Sequence, residues 1–83
     1  MVVTLFGIQD VDFVTDDGKK VTGMNLFVGY QSRFVTGQIT KKYFVSDQAS
    51  FYQGSDPLKS AIGTDIDLVF NDRGRIEDIE LLN

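Results

Sequence analysis

Apolar residues in this chain recur at every second position, and no window holds a sustained apolar stripe at helical spacing, so the pattern predicts strands. A first strand is expected over Val2 to Val14, with Gly7 marking a bulge or bend in a run this long. Thr15-Asp16-Asp17-Gly18 then reads as a hairpin turn, because Asp-Gly supplies the positive φ that a tight reversal needs. A second strand follows from about Lys19 to Tyr30. Thr22, Met24, Leu26, Val28 and Tyr30 fall on one of its faces, Val21, Gly23, Asn25 and Phe27 on the other. The first set is the better core.

Gly29-Tyr30-Gln31-Ser32 interrupts the alternation and reads as a connection. The third strand is expected from about Phe34 to Val45. It sets Val35, Gly37, Ile39, Lys41, Tyr43 and Val45 against Phe34, Thr36, Gln38, Thr40, Lys42 and Phe44. The second set is polar with aromatic ends, which is unusual for a face whose only role is burial. Residues 46–63 are the least strand-like and hold the one proline. Within them Asp56 to Ala61 predicts a single helical turn, with Asp56 as N-cap, Pro57 at the first helical position and Gly63 beyond the end. A second hairpin closes the chain. Ile66, Leu68 and Phe70 point inward from Thr64–Phe70, Asn71-Asp72-Arg73-Gly74 turns, and Arg75–Leu82 returns with a slip that predicts a bulge near Glu77-Asp78.

Five strands, with a short helical turn or loop between the third and fourth, predict an all-β fold in one domain of 83 residues. A small five-stranded barrel removes exposed edges better than an open sheet does. The oligonucleotide-binding (OB) type of barrel fits the insertion best, and an SH3-like barrel is the alternative.

Composition narrows the chemistry. There is no Cys and no His, so neither a disulfide framework, a Cys or His metal site, nor a Ser-His or Cys-His nucleophile is available. A non-enzymatic protein without cofactor or metal is expected. Asp10-Val11-Asp12 and Asp65-Ile66-Asp67 each place two acids on one face, a pattern a hard cation could use, but such outward acids are commonplace on half-buried strands. Apolar runs such as Leu26-Phe27-Val28 are far too short to span a membrane, and the N-terminal residues lack the pattern of a signal peptide. A cytoplasmic location with no membrane partner is therefore expected.

The formal net charge of −4 argues against nucleic acid until it is divided along the chain. Asp10, Asp12, Asp16 and Asp17 stand without a base in residues 1–17. Residues 18–60 hold Lys19, Lys20, Arg33, Lys41, Lys42 and Lys59 against Asp47 and Asp56. In residues 61–83, Asp65, Asp67, Asp72, Glu77, Asp78 and Glu80 outnumber Arg73 and Arg75. The middle is thus basic between acidic ends, and it also contains most of the aromatics. Cations following phosphates and rings stacking on bases are the chemistry of single-stranded nucleic-acid binding. Lys19, Lys20, Arg33, Lys41 and Lys42 are the phosphate candidates; Tyr30, Phe34, Tyr43 and Phe44 are the stacking candidates, with Phe51 and Tyr52 in the following loop. Only one of Tyr43 and Phe44 faces the core on an alternating strand, and the same holds for Lys41 and Lys42. The competing reading gives the exposed ring to a protein partner, and folds Phe51-Tyr52 back as a cap.

The long first hairpin, the Gly18-Lys19-Lys20 entry to the second strand, and the terminal hairpin Thr64-Asp65-Ile66-Asp67-Leu68-Val69-Phe70 to Ile79-Glu80-Leu81-Leu82 resemble a known group. They are similar to the small single-stranded-DNA-binding, helix-destabilising proteins of filamentous phages and mobile elements. That resemblance covers most of the chain as architecture and residue class. It implies a homodimer that coats single-stranded DNA during replication or transfer, with RNA as the other polynucleotide to consider. The acidic ends depart from the pattern, so moderate, salt-sensitive binding on one face is expected. A protein-interaction or assembly module using the same rings is the alternative.

Overall fold

A computed structural model describes residues 1–82. The strands are β1 (Val2–Val14), β2 (Lys20–Gln31), β3 (Gln38–Ser46), β4 (Asp65–Phe70) and β5 (Ile76–Leu81), with one helical turn, α1 (Asp56–Lys59), between β3 and β4. All ladders are antiparallel within one sheet of order β3-β2-β1-β4-β5. The all-β expectation and the helical turn after the third strand therefore hold. The sheet is not closed into a barrel: among the described residues no ladder joins β3 to β5.

β2 is the central strand of the larger half, hydrogen-bonded to β1 along one side and β3 along the other. Met24, Leu26 and Val28 are buried from it, as its alternation predicts, against Val3 and Leu5 of β1, Val45 of β3, and Ile66 and Leu68 of β4. Each fully buried aliphatic side chain contributes about 1.5–3 kcal/mol relative to exposure. The loop after β3 and α1 cover the remaining opening with Leu58, Ala61, Phe51 and Tyr52 packed on this cluster. Phe51 and Tyr52 thus form a cap over the core.

Gly7 lies at a bulge, where the β1–β2 register shifts between Leu5 and Gly7. The β4–β5 register also slips, with Val69 opposite Asp78 and Phe70 opposite Ile76, leaving Glu77 as the extra residue. Both hairpin turns use one device. Gly18 and Gly74 carry φ of 87° and 76° with no positive φ at the residues before them, so each loop is a three-residue reversal ended by a left-handed glycine. Asn71 Oδ1 accepts from the N–H groups of Arg73 and Arg75, and Thr15 and Asp17 bond to each other across the first turn.

Three readings differ from expectation. Gly29, Tyr30 and Gln31 belong to β2, paired with Thr40, Ile39 and Gln38, and are not a connection. β3 begins at Gln38, because Ser32 accepts the N–H of Val35 at its carbonyl and that of Phe34 at its hydroxyl, and Gly37 has φ of 91°. Arg33, Phe34, Val35 and Thr36 consequently belong to the loop. Ser55 is the residue capping α1, in place of Asp56, whose carboxylate instead accepts from Lys59 at 2.9 Å.

β4 accompanies β1 only over Val2–Thr4, and β3 reaches only Gly23 of β2. From Asp12 to Thr22 the first hairpin therefore continues as a two-stranded arm, in keeping with the elongated envelope of 42 × 27 × 24 Å. No helix among the described residues is long and apolar enough to cross a membrane.

Two predictions follow from this packing. A Cβ on Gly23 would lie 2.2 Å from the Val45 carbonyl oxygen, whereas one on Gly7 meets nothing closer than 3.8 Å. Gly23→Ala should lower unfolding free energy in urea by about 1–3 kcal/mol, and Gly7→Ala should change it by less than about 0.5 kcal/mol. The Thr15 hydroxyl, followed by the Lys19 amide, holds the Asp17 carboxyl below its ordinary range. A carboxyl depressed by folding contributes stability that is complete above its unfolded pKa and lost as pH falls through the folded one. NMR titration of Thr15→Val should return Asp17 toward the ordinary range while leaving Asp56, depressed by Lys59, unmoved.

Candidate nucleic-acid interface

Residues directly opposite in an antiparallel ladder share a face. Pairing Leu5 with Val28 and Ile8 with Leu26 leaves Gly7, opposite Phe27, on the outward face. The bulge makes this possible, since Phe6 and Gly7 both point outward between inward Leu5 and Ile8. On β3, Lys42 lies opposite Phe27 and Phe44 opposite Asn25, so both are outward; Lys41 and Tyr43, opposite Val28 and Leu26, are inward.

The outward side of β1 beyond the bulge, β2 and β3 is thus set with Phe6, Phe27 and Phe44, which keep 48%, 38% and 47% of their surface exposed. These are large apolar areas for a surface to leave open. Two of the rings are braced. Phe6 lies over Gly29, where a Cβ would approach its ring to 2.3 Å, and Phe44 lies over Gly23, where the approach would be 2.8 Å. Ring-over-glycine contact covers backbone that has no side chain of its own, and it fixes each ring while leaving part of its surface free. Asn25 Nδ2 donates to Gln9 Oε1 at 3.1 Å between them. A shallow depression of about 300 Å³ lies among Phe6, Phe27, Thr40 and Lys42.

Among the described residues Lys42 is the only charged side chain that the ladder pairing puts outward on this part of the sheet, and Lys41 also borders the depression. The first-hairpin acids Asp10 and Asp12, opposite Met24 and Thr22, project on the other face. Asp65 borders the patch from β4 but accepts from the Thr4 hydroxyl at 2.8 Å, and Asp67 is engaged by the Met1 amine at 2.9 Å. No group of three or more carboxylates among the described residues is arranged to hold a metal ion.

The candidates named from the sequence divide among several places. Lys42 and Phe44 join the outward patch. Tyr30 and Tyr43 are half-buried against the core, Tyr43 with its ring 5.5 Å from that of Phe70 and with Lys41 Nζ 5.5 Å above it. Lys19 and Lys20 stand on the arm, the latter 3.9 Å from Asp12. Arg33 and Phe34 occupy the loop at the other end of β2, the guanidinium 4.9 Å over a ring that is 82% exposed. Phe6 and Phe27 were missing from that set. Both face away from the core by simple alternation, Phe27 between Leu26 and Val28 and Phe6 after Leu5. Comparisons with protein-family models, curated proteins and solved structures find no match to this chain.

An inward ring of β3 and an outward ring of β2 should behave differently. Tyr43→Ala, which opens the contact with Phe70, should cost about 2–3 kcal/mol in urea unfolding. Phe27→Ala, on the exposed face, should cost less than about 1 kcal/mol.

Proposed function

We propose that this protein binds single-stranded DNA without sequence preference, on the outward face of β1, β2 and β3. One observation carries the reading: three half-exposed phenylalanines, two braced on glycines, share a face on which Lys42 is the one cation among the described residues, with Asp65 at its border bonded to Thr4, in a chain of net charge −4. Every base offers a π-face, so rings held in fixed positions accept any sequence, and stacking is worth about 1–3 kcal/mol per base. Lys42 supplies a phosphate contact beside Phe27 and Phe44. Arg33 and Phe34 at one end, and Lys19 at the other, extend the attraction along the strand, while Lys20 stands on the opposite face with Asp12. The order β3-β2-β1-β4-β5 with a helical turn before β4 supports an OB-type architecture left open between β3 and β5. A homodimer acting in phage or mobile-element replication or transfer accords with the resemblance noted above.

A second reading is favoured by the dispersal of the cations over both faces and both ends of the molecule. In it the same phenylalanines bury against a protein partner, as in an assembly module.

Titration of fluorescent oligothymidine at low salt separates the two. Micromolar binding is expected, with Phe27→Ala and Phe44→Ala together weakening it by at least about tenfold and added salt weakening it further. An anisotropy that stays flat to high micromolar protein, or binding indifferent to the double substitution, would sink the proposal. Sedimentation of the same variants shows whether those rings hold copies of the protein together instead.

A further inference from the structure

Between the unpaired edge of β3 and the turn joining β4 to β5 runs a groove of about 510 Å³. Tyr43, Phe44, Val45 and Ser46 line one side, Asn71 and Arg75 the other. It occupies the place where a β3–β5 ladder would have closed the sheet, and the Tyr43–Phe70 ring contact packs beside it. We infer that this groove is a second segment of the DNA-binding site, in which the Arg75 guanidinium takes a backbone phosphate of a strand that has passed over Phe44. The inference rests on the outward face being the strand-binding surface.

Three features favour a phosphodiester strand as the occupant. Among the described residues Arg75 is the only charged one lining the groove, although Asp72, Glu77 and Asp78 lie within three positions of it in the chain. Its side chain has no ion-pair partner among the described residues, so its donors are open to a ligand. Phe44 belongs both to the groove and to the outward patch, which makes the two surfaces continuous. Arg75 is also held in place from below: its backbone N–H donates to Asn71 Oδ1 at 3.0 Å, and its carbonyl accepts the Asn71 N–H at 2.8 Å. An arginine on a fixed turn, facing a ring across a groove, suits a nucleotide whose base stacks on one wall while its phosphate meets the other.

Oligothymidine affinity measured over a range of salt tests this, with Arg75→Gln, Arg75→Lys and Arg73→Gln compared with the unaltered protein. Arg73 shares the turn but does not line the groove. Arg75→Gln should weaken binding about three- to tenfold and lower the slope of log K against log salt by about 0.7, the loss of one phosphate contact on a single strand. Arg75→Lys should retain most of the affinity, and Arg73→Gln should stay within about twofold. Equal effects of Arg73→Gln and Arg75→Gln would reveal diffuse electrostatics and overturn the groove assignment. So would an Arg75→Gln protein with unchanged affinity and slope, while Phe27→Ala, at a position that does not line the groove, still weakens binding; in that case the outward face stands and only the groove falls. An unaltered protein that does not bind removes both. Hydrogen-exchange protection of the Tyr43–Ser46 amides that rises with protein concentration in the absence of DNA would give the groove to a second copy, and would also overturn the inference.

Discussion

The arrangement depends on the alternation along β2. This strand is hydrogen-bonded on both sides, so its side chains have only two directions, and Met24, Leu26 and Val28 take one of them into the core. A chain of 83 residues with a single helical turn has one layer to pack against, and it makes that core by curling the sheet over its own inner face. No element among the described residues covers the outer face of β2. Gly23 and Gly29 there accept rings from the flanking strands, while Phe27 stands between them. An outward aromatic surface is the complement of a one-sided core.

This explains why much of the fold was legible and part of the site was not. Period-two alternation identifies the buried set of β2 directly, because burial on one face and pairing on both sides leave no freedom of phase. The bulges at Gly7 and near Glu77 were legible as interruptions of that period. Closure was not: whether β3 and β5 join depends on the curvature of the whole sheet, which no local pattern encodes. The start of β3 was missed because Phe34 and Val35 alternate as a strand would, while the Ser32 turn and left-handed Gly37 prevent an extended chain. Phe6 is outward by the same alternation that buries Leu5, but its ring contact with Gly29 needs the pairing of β1 with β2, which places Gly29 opposite Thr4.

Charge shows the same limit. Divided along the chain, the middle segment is basic between acidic ends, yet proximity in sequence does not become one basic surface. Consecutive lysines on a strand point to opposite faces, so Lys41 leaves on the side of Tyr43, exposed and with its amine over that ring, and Lys42 on the outward side. A turn carries Lys19 to the tip of the arm and a loop carries Arg33 to the other end. With the cations dispersed, no single face can neutralise many phosphates, and any strand held by the outward patch depends on its rings for much of the affinity. Such binding should have a shallower salt dependence than that of a protein with a continuous basic groove.

The open seam has a physical cost that the structure partly offsets. Unpaired strand edges invite pairing with other chains, and here two of them approach each other without joining. Tyr43 and Phe70 pack between the strands they belong to, so the apolar interior is shut by side chains where the backbone ladder is missing. The bulge in β5 adds to this, since an extra residue at Glu77 increases local twist and turns that edge away from a regular partner. What remains is a groove with polar backbone on its margins, a ring at one side and a free guanidinium at the other. Closing the sheet by hydrogen bonds would have removed that groove; sealing it with aromatic packing preserves both the core and an opening continuous with the outward face.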